Sequence, residues 1–146
     1  MKVVVATDGS RAGRAALRFA ANMVEGRSRD ELIVVTVCPA RLPSAAEGNG
    51  NGPLANARTV LADAEQAVHR RVPSARFEVI QARSGDQVPE AISRHADRVR
   101  ADMVIVGSEG RESLTEWVVG GTALRLIYIA RRPVTVVRAP RRRTRA

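Results

Sequence analysis

Only one of the 146 residues is a cysteine, Cys38, and only His69 and His95 are histidines. A single thiol forms no intrachain disulfide and no cysteine-based metal cage. No clustered His, Cys or acid spacing marks a structural metal site. Aromatic residues make up 3% of the chain, namely Phe19, Phe77, Trp117 and Tyr128. Lys2 is the only lysine, so the G-x-x-x-x-G-K-[ST] loop of phosphate-binding ATPases is absent. Neither G-x-G-x-x-G nor the G-x-S-x-G elbow occurs, which removes the dinucleotide fingerprint and the common hydrolase nucleophile. No apolar run approaches the ~18–20 residues of a membrane span. The opening "MKVVVATDG" lacks a signal-peptide layout, and a cytoplasmic setting without membrane contact is the expectation.

What remains is ordinary globular material: 45% hydrophobic residues, enough for one domain with a core. The net charge of +9 is uneven, because Arg141, Arg142, Arg143 and Arg145 crowd the last six residues. Such a run attracts any polyanion in a salt-dependent way. No aromatic lies near it to stack on bases, so the tail reads as a solvated, disordered terminus and nucleic-acid contact is not expected. A basic-tail module associated with nucleic acid stands as the alternative. Arginine codons are rich in G and C and lysine codons in A, so base composition alone accounts for the arginine bias.

Five β-branched runs, Val3–Ala6, Leu32–Val37, Phe77–Ile80, Met103–Val106 and Val134–Val137, read as strands. Their apolar residues are consecutive rather than alternating, the pattern of parallel strands covered on both faces. Helical period fills the gaps. Leu17, Ala20 and Val24 follow Ser10, a candidate N-cap. Leu54, Ala57, Leu61, Ala64 and Val68 form a second stripe, and Val88, Ala91, Ile92, Ala96 and Val99 a third. Asp86 is the candidate cap of that third helix, and a fourth helix is expected over about 122–131. Alternating strands and helices with right-handed crossovers predict an α/β, open doubly wound parallel sheet with helices on both faces. The segment "PSAAEGNGNGPL" reads as a surface loop, with a lid role open to it.

Ligands of such sheets sit beyond the carboxyl ends of the strands. The first strand ends at Thr7 and Asp8, the fourth at Gly107. Gly107 and Gly110 are followed, after nine residues, by Gly120 and Gly121. Glycine lets backbone amides approach an anion closely, and amides at a helix start favour negative charge. Thr122 offers a hydroxyl and Arg111 a cation. Asp8 suits a nucleoside, whose ribose hydroxyls and base N–H groups donate to a carboxylate. His69 and His95 lie in expected helices away from the strand tips; His95 reads as structural. Cys38 reads as core. Trp117 reads as packing on the sheet edge or roofing the glycine loop.

The stretches "VVVATDGSRAGRAALRFAANM", "LIVVTVCP", "SGDQVPEAI", "ADMVIVGSEG" and "VVGGTALRLIYIARRPVTVVR" resemble a universal stress protein domain, in order and over nearly the whole chain. The ATP-binding members of that family carry Gly-x2-Gly-x9-Gly-(Ser/Thr), and Gly107, Gly110 and Gly120 fall on its three glycines. The resemblance implies a five-stranded sheet of order 3-2-1-4-5 over residues 1–138, followed by the tail at 139–146. It implies adenine near Asp8 and Val37, with phosphates against the Gly107 loop and the Gly120 helix start. The expected contact set is Thr7, Asp8, Val37, Val106, Gly107, Gly110, Arg111, Gly120, Gly121 and Thr122. The ligand would be ATP or a related adenine nucleotide, with Mg²⁺ as a companion, and turnover would be slow at most.

Such domains commonly dimerise through the last strand. Leu124, Leu126, Ile127, Tyr128, Ile129 and Ala130 here surround the last helix with apolar side chains, which calls for burial beyond one sheet face. One departure from the family pattern stands out: Gly121 occupies the Ser/Thr position, removing a hydroxyl contact. Glu109 also brings a negative charge near the phosphates. A dimer that has stopped binding nucleotide and works through an unidentified protein partner is therefore the second alternative.

Overall fold

The computed structural model describes residues 1–40, 52–109 and 119–141. The elements follow in strict alternation: β1 (Lys2–Ala6), α1 (Arg11–Val24), β2 (Glu31–Cys38), α2 (Pro53–Val68) and β3 (Arg76–Gln81). After them come α3 (Val88–Arg98), β4 (Met103–Gly107), α4 (Gly121–Ile129) and β5 (Val134–Val137). All five strands are parallel, in the order β3-β2-β1-β4-β5. Among the described residues, no helix is long and apolar enough to cross a membrane.

The consecutive valines of β1 have a direct structural use. Val3 and Val5 enter a core with α1 and α2, while Val4 and Ala6 enter the opposite core with α3 and α4. Successive side chains of a strand alternate between faces, so a centre strand covered twice must be apolar at every position. The edge strands depart from that pattern. β3 carries Glu78 in its middle and is only partly buried, and β5 is half-buried along its length. Each has a neighbour on one side only.

Local chemistry sets the helix starts. Ser10 caps α1, its hydroxyl oxygen accepting from the Gly13 amide at 3.1 Å. Asp86 does not cap α3. Gln87 is the N-cap residue, without a side-chain cap, and Asp86 instead accepts from the Arg83 amide and pairs with Arg94. The carboxylate that sequence assigned to the helix is taken by the preceding turn. α3 ends in a Schellman arrangement: Arg100 N–H donates to Asp97 O and Ala101 N–H to Ala96 O, with Arg100 at a left-handed φ of 55°.

The expected stripes hold with small shifts. On α2 the buried residues are Ala57, Val60, Ala64 and Val68, so Val60 takes the position expected of Leu61, which is only partly buried. α4 spans Gly121–Ile129, slightly earlier than expected. Cys38 and His95 are buried, in line with structural roles. The segment expected as a loop lies mostly outside the described residues, as does Trp117.

Candidate functional site

The strand order reverses between β1 and β4: β2 and β3 lie on one side of that pair, β5 on the other. The connections α1 and α2 cover one face, and α3 and α4 the other. A crevice therefore opens at the carboxyl ends of β1 and β4, the switch point of this topology.

The β1 tip is tightly held. The Thr7 amide donates to Val35 O at 3.0 Å, and the Thr36 hydroxyl donates to Thr7 O. Thr7 Oγ1 accepts from the Gly9 amide at 3.2 Å. Asp8 turns outward, its Oδ1 accepting from the Ser10 amide at 2.9 Å in an Asx turn that leads into α1. The β4 tip is tied to its surroundings from three sides. Ser108 N–H donates to Val137 O at 2.8 Å, the Ser10 hydroxyl reaches Glu109 O at 3.4 Å, and Gly120 N–H donates to Ser108 O. That last bond brings the two ends of the glycine segment together, so Gly120 lies beside the β4 tip although many residues intervene.

Gly107 has a specific steric reason to lack a side chain. A Cβ there would stand 2.5 Å from Ala12 C, 2.7 Å from Gly13 N and 2.8 Å from Ala12 O. The first turn of α1 thus passes directly over the β4 tip. Sequence reasoning assigned this glycine to anion approach; the structure makes helix packing a sufficient cause. Gly121 is the converse case, since a Cβ there would meet nothing within 4 Å.

Beyond these tips lies an open cavity of about 1250 Å³. Eight of the expected residues line it together: Thr7, Asp8, Val37, Val106, Gly107, Gly120, Gly121 and Thr122. Gly110 and Arg111 lie outside the described residues. The lining combines several chemistries. Val37, Pro39 and Val106 supply an apolar wall, and Asp8 a carboxylate at its edge. The start of α4 lines it too, and its N-cap Gly120 has no side chain to satisfy the first-turn amides. The Gly121 and Thr122 N–H groups precede the first intrahelical bond, which is Leu124 N–H to Gly120 O at 3.1 Å. Amides of this kind and the helix dipole favour negative charge.

Several lining residues went unnoticed in the sequence. Gln87 and Val88 from the start of α3, Asn56 from α2 and Arg125 from α4 also border the cavity. Arg125 is held there by Glu90, whose Oε1 accepts from its Nε at 3.1 Å. A signal existed for Gln87 and Val88, because they follow directly on the third strand's turn, on the same edge of the sheet. Asn56 and Arg125 carried no signal, since their approach depends on how the helices cross the sheet. Glu109 lines the cavity as well, placing a negative charge near the α4 start.

Of the two histidines, neither borders the cavity. His95 is 3% exposed, with Nδ1 accepting from Arg98 at 2.9 Å and Nε2 3.5 Å from Glu78. Burial, ahead of the opposing pull of Glu78, lowers its pKa. The ring is therefore neutral at pH 7 and structural. Among the described residues, no group of three His, Cys, Asp or Glu side chains could hold a metal ion.

The model of the universal stress protein family matches residues 1–138. A universal stress protein from Archaeoglobus fulgidus is similar in structure, with 27% identity and a TM-score of 0.71, the match covering 94% of this chain and 98% of that one. The Archaeoglobus fulgidus universal stress protein in complex with dAMP shows 26% identity and a TM-score of 0.66, covering 94% and 97%. A universal stress protein in complex with cAMP shares the fold at 20% identity and a TM-score of 0.73, covering 96% and 98%. No curated protein sequence matches the chain.

Proposed function

The chain belongs to the universal stress protein family, and from that premise we propose that it is an adenine-nucleotide receptor that works by binding rather than by turnover. The observation that carries this reading is the set of groups that line one cavity. Apolar side chains and a carboxylate come from the β1, β2 and β4 tips, and amides that make no bond among the described residues come from the start of α4. A nucleoside monophosphate combines the complementary groups: an apolar base, donor hydroxyls and an anion. The similar Archaeoglobus fulgidus protein in complex with dAMP supports the assignment.

In this reading Val37 and Val106 contact the base, and Asp8 accepts from ribose hydroxyls or a base N–H. Thr7 holds the β1 tip in place. Phosphate oxygens accept from the Gly121 and Thr122 amides, while Gly107 lets α1 close over the β4 tip. Gly120 serves through its carbonyl and its bond to Ser108, because its own N–H is engaged. Gly110 and Arg111 would extend the cradle to the further phosphates of ATP. Glu109 would then face them across a shared Mg²⁺.

The same helix links ligand to partner. Leu124, Ile127 and Tyr128 are 47%, 53% and 80% exposed, an apolar face that a single chain leaves in water. With the half-buried edge strand β5 beside it, that face would be covered by a second copy in a homodimer. Ligand at the start of α4 would bias this surface, and the dimer or a further protein partner would bias ligand affinity equally.

Thermal unfolding with AMP and with ATP, each with and without Mg²⁺, tests the reading. Ligand at ~100 times its dissociation constant stabilises by about 2.7 kcal/mol. For a chain of this size the midpoint rises by about 5–11 °C. The rise should vanish in Asp8→Ala and be absent with GTP. No rise at millimolar AMP or ATP would refute nucleotide binding and leave the dimer surface as the functional element.

A further inference from the structure

An anion entering the cavity meets an uneven set of charges. Among the described residues, the lining includes two carboxylates, Asp8 and Glu109, and one cationic side chain, Arg125. The other ion-paired arginines, Arg71, Arg76, Arg94 and Arg132, do not line it. Arg125 follows Gly121 by four residues on α4. Residues four apart share a helix face, and the later side chain leans back towards the earlier one. The rise between them is about 6 Å, within reach of an arginine. Arg125 thus serves the side of α4 on which Gly121 has no side chain and a Cβ would meet nothing within 4 Å. Glu90, in the first turn of α3, accepts from Arg125 Nε at 3.1 Å. That bond limits the swing of the guanidinium, and no hydrogen bond among the described residues uses Nη1 or Nη2. As a clasp between α3 and α4 the pair contributes little, because the Arg125 side chain is 57% exposed and exposed ion pairs are weak.

Resting on nucleotide binding as the role of this cavity, we propose that Arg125 binds the phosphate of a nucleoside 5′-monophosphate, with Glu90 as its positioning residue. The guanidinium donates from its Nη groups to the phosphate oxygens, in the fork geometry that arginine offers to phosphate. It acts beside the Gly121 and Thr122 amides and offsets the repulsion from Asp8 and Glu109. The ligand class follows from charge. A terminal phosphate monoester is dianionic above its second pKa of about 6, whereas a cyclic phosphodiester carries one charge and a nucleoside none. Arg125 therefore favours AMP over cAMP, and cAMP over adenosine.

Calorimetry of the full chain with AMP, cAMP and adenosine at about pH 7.5 is the test, in ~50 and ~200 mM salt. Arg125→Gln should weaken AMP by about 10-fold, the low end for a hydrogen bond to a charged group, and leave adenosine unchanged. Arg125→Lys keeps the charge without the fork and should recover part of that loss. Glu90→Gln retains an oxygen acceptor for Nε but removes the neutralising charge. It should tighten AMP by about 3-fold at ~50 mM salt and less at ~200 mM, again without effect on adenosine. Melting temperatures of the three variants verify the fold. Equal loss of AMP and adenosine in Arg125→Gln, or loss of neither, would overturn the assignment. So would a Glu90→Gln protein that weakens AMP as Arg125→Gln does, with the same fall in melting temperature, which would make the pair a clasp only. Wild type that binds AMP and adenosine without depending on Arg125 thus refutes this assignment alone. Wild type that binds neither refutes nucleotide binding itself, and this assignment with it.

Discussion

Gly107→Ala is the substitution that most directly probes how the β4 tip is built. The new methyl would lie 2.5 Å from Ala12 C and 2.7 Å from Gly13 N, against an ordinary contact of 3.4 Å or more. The obstruction is backbone, so no side chain can swing aside, and the first turn of α1 must retreat by about 1 Å. A gap of that size forfeits a quarter to a half of each dispersion contact along the displaced surface. Overpacking typically costs ~1–3 kcal/mol. A backbone obstacle puts this case near the top of that range, about 3 kcal/mol, or a fall of about 6–12 °C in midpoint. Urea and thermal unfolding measure it, with Gly121→Ala as the control. A Cβ at Gly121 meets nothing within 4 Å and should change stability by less than about 1 kcal/mol. A Gly107→Ala protein that unfolds with the wild type would refute the packing account. If it also lost AMP binding while keeping full stability, anion approach would be the reason for the glycine.

Gly121→Ser restores the hydroxyl at an open position, and calorimetry should record AMP binding tightened by about 10-fold or more, the worth of one hydrogen bond to a charged phosphate at ~1.5–3 kcal/mol. Arg100→Gly removes a side chain from a left-handed φ of 55° and should raise stability by about 0.5–1 kcal/mol in urea titrations. His95 has a lowered pKa in the fold, so the unfolded chain binds its proton more readily. Its contribution to stability is whole above the unfolded value of about 6.5 and is lost as pH falls from there towards the lower folded pKa, at up to about 1.4 kcal/mol per pH unit. Urea midpoints at pH 7 and pH 5 should differ more for the wild type than for His95→Gln.

The elements were legible because their signals are local. Val3, Val4 and Val5 announce a strand covered on both faces, and Ser10 ahead of Leu17, Ala20 and Val24 announces a capped helix. The family likeness supplied the strand order, which no local pattern contains. Asp86 shows the limit of such reading. A carboxylate ahead of a helix can cap it or hold the preceding turn, and only the positions of Arg83 and Arg94 decide between them.

Sequence by itself determined that five strands alternate with four helices, that the centre of the sheet is buried on both faces, and which residues stand at the strand tips. Periodicity and turn chemistry are sufficient for that, since both act over a few residues. Only the tertiary structure decided why Gly107 lacks a side chain, why Gly120 gives its amide to Ser108, and that Arg11 reaches Pro140 O near the chain end. Those outcomes depend on how closely one element crosses another. The approach distance is set by packing between segments far apart in the chain, and hydrophobic pattern reports which face is apolar but not what covers it.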